Sequence, residues 1–355
     1  MVLDLVFIVF VLSICFTCKR NGASSETYLS IDNTKKLRGI LAIAIVLHHI
    51  SEKTIAIGKL FPLMVHAGYL VVAVFFFLSG YGCLVSYKKK GRAYLKGFWK
   101  NRILYLLLVY VLFIALYALY FKLLGREVTF IGVLYSFGEG RPIAMNSWYI
   151  VVQLLMYVFF YVAYIVPNLK NWHRIVLVFI FLLFLAVGLD YIGFKSIWYI
   201  SNFAFVLGLL YADKKSIIDK LLKNYWWIAL VLMMAIFAIF SANPLIIESG
   251  DKTDSLEGVF ASRHIFRYIS SSAFVALVMV CLYKRKIVGV LWEKIGMMSL
   301  EIYLIHGMVY SFLRSDFCYI HQDVLWVILT IIITILISIP AHFVSKGISN
   351  TLRKT

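Results

Sequence analysis

Apolar blocks of roughly 17 to 22 residues recur along almost the whole chain, and at about 1.5 Å of helical rise per residue each can cross the hydrocarbon core of a bilayer. Backbone amides find no water inside a bilayer, so such a chain folds as a bundle of spanning helices. Read in order, the blocks predict eleven spans, near residues 3–18, 38–57, 64–87, 102–121, 147–166, 174–192, 197–212, 225–241, 265–283, 297–313 and 324–345. The expected fold class is all-α, a polytopic transmembrane helical bundle. Composition agrees, because 63% of the 355 residues are apolar and only 15% charged, too few polar groups to cover a water-soluble surface. No stretch between spans is long enough for a soluble domain, so any chemistry must be built from helices and short loops.

The net charge of +18 invites a nucleic-acid reading, but that needs cations clustered on one face of a soluble domain. Here they alternate between apolar blocks. With the N-terminus outside, the inner segments and their flanks hold 25 of the 35 Lys and Arg residues and the outer segments 10, which predicts an inside C-terminus. The first span carries Asp4 and no preceding Lys or Arg, while Lys19 and Arg20 follow it, a pattern that favours a retained anchor over a cleaved signal peptide. Cys15 and Cys18 form a CxxC with no second ligand pair nearby, so they read as membrane cysteines and no metal site is expected. The outer loop from about 242 to 264 contains Glu248, Asp251, Asp254 and Glu257 and reads as a solvated loop, with acceptor contact as the alternative.

Ionisable side chains within spans cost several kcal/mol unless they face protein or water, and therefore mark functional candidates. The second span supplies the strongest set. Arg38 and His49 are eleven residues apart in LRGILAIAIVLHHI, about 1100° of helical rotation, so they share a face to within about 20° and lie about 16 Å apart along the axis. His48 points about 80° away from Arg38. This spacing puts a cation at the cytoplasmic edge and an imidazole near mid-membrane, where a neutral histidine can serve as a general base. Anchoring of the span by Arg38 and satisfaction of His49 by a neighbouring helix are the bland alternatives. The third span carries Ser79 and Tyr81 among Gly80 and Gly82, and the tenth carries Glu301, Tyr303 and His306, with His306 at a depth close to that of His49. Trp148 and Tyr149 open the fifth span and fit an interfacial aromatic belt equally well. The inner loop from 88 to 102 holds seven cations, Arg102 among them, suited to anionic headgroups or to donor phosphates.

Four motifs in order resemble acyltransferase family 3, the membrane-bound O-acyltransferases acting on cell-surface glycans. Arg38 and His49 match its N-terminal arginine and histidine; Phe75, Phe76, Ser79, Gly80 and Tyr81 match FF-x-x-SG-[FY]; Trp148, Tyr149 and Ile150 match W-[FY]-[LI]. Gly296, Ser299, Ile302, Tyr303, Leu304 and His306 match G-x-x-S-x-x-[IV]-Y-L-x-H. Two positions depart from the family. Tyr105 replaces the second arginine of R-x-x-R, leaving only Arg102, and Leu108 stands where a proline is common.

The resemblance implies a membrane anchor and cytoplasmic linker over 1–36 and an acyltransferase unit of about ten helices over 37–355. It implies transfer of an acyl group, in the simplest case acetyl, from acyl-CoA to a glycan hydroxyl. The donor is a substrate, and no permanently bound cofactor is expected. Expected partners are acyl-CoA, a glycan or lipid-linked saccharide, and membrane lipids, with no nucleic acid, in the bacterial cytoplasmic membrane. His49 and Arg38 are the expected catalytic pair, and Arg102, Ser79, Tyr81, Trp148, Glu301, Tyr303 and His306 the expected substrate-binding residues. A transporter or proton-coupled carrier would use the same intramembrane histidines as relays. A non-catalytic scaffold is a third reading.

Overall fold

The computed structural model describes residues 2–20, 28–54, 58–242 and 262–354, and the chain is all-α apart from two short strand pairs. The acidic residues Glu248, Asp251, Asp254 and Glu257 lie outside the described residues. Among the described residues, seven helices are long and apolar enough to cross a membrane, or up to eight if a pair bent by 76° counts as one span. The chain divides into two compact units: residues 1–71, 107–147 and 285–355 form the first, and residues 72–106 and 148–284 the second.

The first unit is built around α2 (Ile31–Ser51). Ser30 caps it, its side chain accepting from the Asn33 amide, as short hydroxyl side chains do where the first turn leaves donors unpaired. α1 (Val2–Thr17) precedes it and ends in a strand, Cys18–Arg20, that pairs antiparallel with Arg285–Ile287. The Ile287 amide also donates to Asn33 at 2.7 Å. At the other end of α1 the Asp4 carboxylate accepts from the amides of Lys59, Leu60 and Phe61 at 3.1, 2.8 and 3.0 Å. These amides open the 3₁₀ turn Phe61–His66, so an acidic residue in an apolar helix is explained by the donors it collects.

Glycine sets the contact between α2 and the short helix Val290–Met297. A Cβ on Gly39 would overlap the Trp292 carbonyl, and one on Gly296 would overlap that of Lys35. Small residues let two backbones meet in this way. After a bend of 76° the chain continues as the helix Ser299–Phe312, which packs on α2 and on the last helix, Asp323–Lys354. The part of Tyr105–Leu123 within this unit reaches the same helix: Tyr117 donates to the Leu304 carbonyl at 3.1 Å, beside Gly307.

In the second unit the helix Gly68–Lys90, from Val72 on, meets the long helix Phe203–Ser241 at glycines once more. A Cβ at Gly80 would strike the Phe205 backbone, and one at Gly208 that of Phe77. A polar network holds one end: Asn171 donates to Asp213 at 2.7 Å, Lys88 pairs with Asp213 at 3.1 Å, and Arg174 donates to Tyr87 at 2.8 Å. Trp148–Ile165 and Asn171–Tyr191 complete the packing on one side, and Ser262–Tyr283 lies along Phe203–Ser241.

Helices occupy every expected span, but their limits differ in three places. The spans expected at 197–212 and 225–241 belong to one helical run, with non-helical backbone at Lys214 and Tyr225. The basic segment read as a loop over 88–102 is helical from Arg92 to Phe98 and a π-helix over Trp99–Leu104, broken only at Gly91, where φ is +57°. Its aromatic residues explain this, because Phe98 is buried against Tyr157, Phe160 and Tyr161. Third, α2 stops at Ser51, not near 57.

Candidate active site

The early end of α2 puts His48 and His49 in its last turn, so the helix expected to run on past His49 to about 57 is corrected to one that ends just after it. The physical reason is a polar stop: Ser51 donates to the His48 carbonyl at 2.7 Å, and the Glu52 amide donates to the same carbonyl at 3.3 Å. The Lys53 carbonyl then accepts from Arg314 at 2.9 Å, and Arg314 pairs with Asp323 while lying 4.0 Å from the Trp326 ring centroid. The segment that follows the histidines is therefore held by the helix that carries Trp326.

Glu52 is central to the geometry. Its Oε2 lies 3.3 Å from His49 Nδ1 and its Oε1 lies 3.6 Å from His48 Nε2. His48 Nδ1 sits 2.9 Å from the Met64 carbonyl, and because a carbonyl only accepts, that nitrogen carries the proton. Gly68 packs against the His48 ring so closely that any Cβ there would overlap it. His48 is thus clamped, whereas His49 faces the Ser299–Phe312 helix, where its ring stacks on His306 with centroids 5.1 Å apart and planes 20° apart.

His306 is completely buried and donates Nδ1–H to the Ile302 carbonyl at 3.2 Å. Its Nε2 has no hydrogen-bond partner among the described residues. Tyr303 and Tyr310 flank its ring at 5.8 and 6.0 Å. The Tyr303 hydroxyl donates to the Asn146 carbonyl, and Asn146 Nδ2 donates to the Tyr310 hydroxyl at 3.3 Å. Asn146 holds a left-handed backbone, φ +60°, which asparagine tolerates better than most residues. The aromatic frame around His306 is therefore fixed from a loop as well as from its own helix.

The remaining sequence candidates separate. Arg38 is half-buried in the cationic first turns of α2, near the Lys35–Glu293 pair at 3.1 Å and the Lys36–Asp32 pair at 2.7 Å. Helical rise keeps it about 16 Å from His49. Glu301 is buried and faces a different partner, His342 Nδ1 at 3.4 Å on the last helix. Ser79, Tyr81, Arg102 and Trp148 all belong to the second unit. There Tyr81 is buried, its ring 6.2 Å from that of Tyr211, Arg102 lies beside Tyr94, Tyr157 and Cys83, and Trp148 rests 6.3 Å from Trp198. Ser79 is half-buried. Glu52, Asn146, Tyr310 and His342 escaped the sequence reading. Glu52 and Tyr310 had a local signal, since Glu52 stands three and four residues after the two histidines and Tyr310 four after His306, each on the face of its histidine.

Residues 35–343 match the family model described as "Acyltransferase domain", that of acyltransferase family 3. The chain belongs to acyltransferase family 3. No curated protein and no solved structure matches it significantly. As a member of this family, with several helices long and apolar enough to span a bilayer, it is a multi-pass membrane acyltransferase.

Proposed function

We propose that this family 3 acyltransferase works in the bacterial cytoplasmic membrane and moves an acyl group, acetyl in the simplest case, from acyl-CoA to a hydroxyl of a polysaccharide or other cell-surface glycan. The observation that carries the reading is the His49 imidazole held between the Glu52 carboxylate at 3.3 Å and the buried His306 ring. With Nδ1–H donating to Glu52, His49 keeps a lone pair on Nε2, the form required of a general base.

In the reaction the acceptor hydroxyl gives its proton to His49 Nε2 as its oxygen attacks the thioester carbonyl. The carbon–sulfur bond breaks, and the departing thiolate takes the proton back from the imidazolium. Glu52 steadies the transient positive charge, as an opposed carboxylate does beside a histidine. Arg38, at the other end of the helix, is proposed to hold a donor phosphate, and Arg102 is the corresponding candidate of the second unit. Transfer from a thioester to an alcohol is downhill, so alignment and management of one proton are the main tasks of the protein.

Mass spectrometry of surface glycans from cells with and without the protein tests the assignment of substrate. A mass difference of one acyl group per modified sugar is expected. Unchanged glycans, with the protein present in the membrane and acyl-CoA supplied, would refute a glycan acceptor.

A further inference from the structure

We infer that His48, His49 and Glu52 form a site for one divalent transition-metal ion, Zn2+ by its chemistry, and that the ion silences His49; the second half rests on His49 being the base proposed above. The three residues each offer one ligand atom, and these atoms lie within 4.8 Å of one another. A tetrahedral zinc ion with nitrogen and oxygen ligands at about 2.0 to 2.1 Å has ligand-to-ligand edges of about 3.3 to 3.4 Å. His49 Nδ1 lies 3.3 Å from Glu52 Oε2 and His48 Nε2 3.6 Å from Glu52 Oε1, so one edge is already near that length whichever oxygen binds, and the others close from within 4.8 Å by small side-chain rotations.

The proton on His48 makes the case stronger. Its Nδ1–H is committed to the Met64 carbonyl, so Nε2 presents a lone pair to a carboxylate oxygen, one acceptor against another. A cation between them turns that opposition into attraction. The Met64 contact is also the outer hydrogen bond that metal-bound histidines commonly make through their second nitrogen. Two imidazoles and a carboxylate suit zinc, cobalt or nickel over magnesium or calcium, and three protein ligands leave a fourth position for water. Next to the site, His306 keeps a buried Nε2 without a donor among the described residues, and a metal-bound water is one group able to supply it.

A metal on His49 Nδ1 moves the ring proton to Nε2. The lone pair that takes the acceptor proton is then gone, and transfer stops until the ion leaves.

The test uses the full-length protein, stripped of metal and purified in detergent, with Zn2+ binding measured by calorimetry and Co2+ binding by visible absorption. The wild type should bind about one ion per chain, and His48→Asn, which keeps an N–H for Met64 but has no second nitrogen ligand, should weaken binding by roughly 100-fold, the upper range for losing even an outer partner of a metal site. Zn2+ should inhibit acyl transfer by the wild type, a chelator should restore it, and His48→Asn should transfer normally and ignore Zn2+. Should His48→Asn fold poorly, Glu52→Gln takes its place in the binding measurement. No stoichiometric ion in the wild type, or equal binding by the variants, overturns the site. Binding that depends on His48, together with full transfer by His49→Ala, would retain the ion and refute the base.

Discussion

Hydrogen bonding separates the side chains around His49 that are fixed in place from the imidazole that the proposed transfer needs. His48 spends Nδ1 on the Met64 carbonyl and is wedged against Gly68, whereas His49, its ring 4.6 Å from that of His48, meets the Glu52 carboxylate and the face of His306. Tyr303 belongs to the fixed frame. Removing its hydroxyl as Tyr303→Phe leaves the Asn146 carbonyl without that donor, and thermal unfolding should show a loss of about 0.5 to 1.5 kcal/mol. A larger fall in transfer than in stability would instead put the hydroxyl in contact with substrate. The juxtaposition of His49 and His306 was legible from their comparable depths, because ionisable residues are conspicuous in apolar blocks; Arg38 was as conspicuous but lies about 16 Å from His49. Glu52 was only weakly marked, since a carboxylate toward the end of an expected span looks like ordinary interface polarity until the helix end is known. Asn146 reaches Tyr303 and Tyr310 by tertiary folding, which no local period announces, whereas Tyr310 stands one helical turn from His306 on the same helix.

Helix ends and helix contacts govern the next scale. The apolar pattern predicted where helices lie but not where α2 stops, because hydropathy continues through residues 55–57 while the polar residues Ser51 and Glu52 end the hydrogen-bond ladder. The same limit hid the helical character of 92–104, where charges mask the buried side of Leu95 and Phe98. Gly39 shows how tightly two elements meet. Its nearest neighbour is the Trp292 backbone, which cannot rotate away, so Gly39→Ala should destabilise the protein by about 1 to 3 kcal/mol, seen as a lower midpoint of thermal unfolding in detergent. An unchanged midpoint would mean that the two helices are not in backbone contact. Asp4→Ala removes an acceptor shared by three amides. It should free the start of α1 and raise hydrogen exchange at residues 59–61, where unchanged protection would argue against that tie.

For the molecule as a whole, membrane residence and the all-α class were evident from composition and block length, and the family from four short motifs in order. The division into two compact units had no sequence signal, because each unit is assembled from separated stretches of chain. Charge asymmetry also makes a global prediction. With 25 of the 35 cations assigned to inner segments, a C-terminal reporter should register the cytoplasm and Cys15, close to Lys19 and Arg20, should react from the inner half of the membrane. The opposite pattern would reverse the route by which donor and acceptor reach His49. The most direct measurement is the initial rate of acyl transfer from acetyl-CoA to isolated glycan by His49→Ala, at wild-type membrane abundance. Loss of the base predicts a fall of about 10² to 10⁴, and a rate within twofold of the wild type would contradict the account.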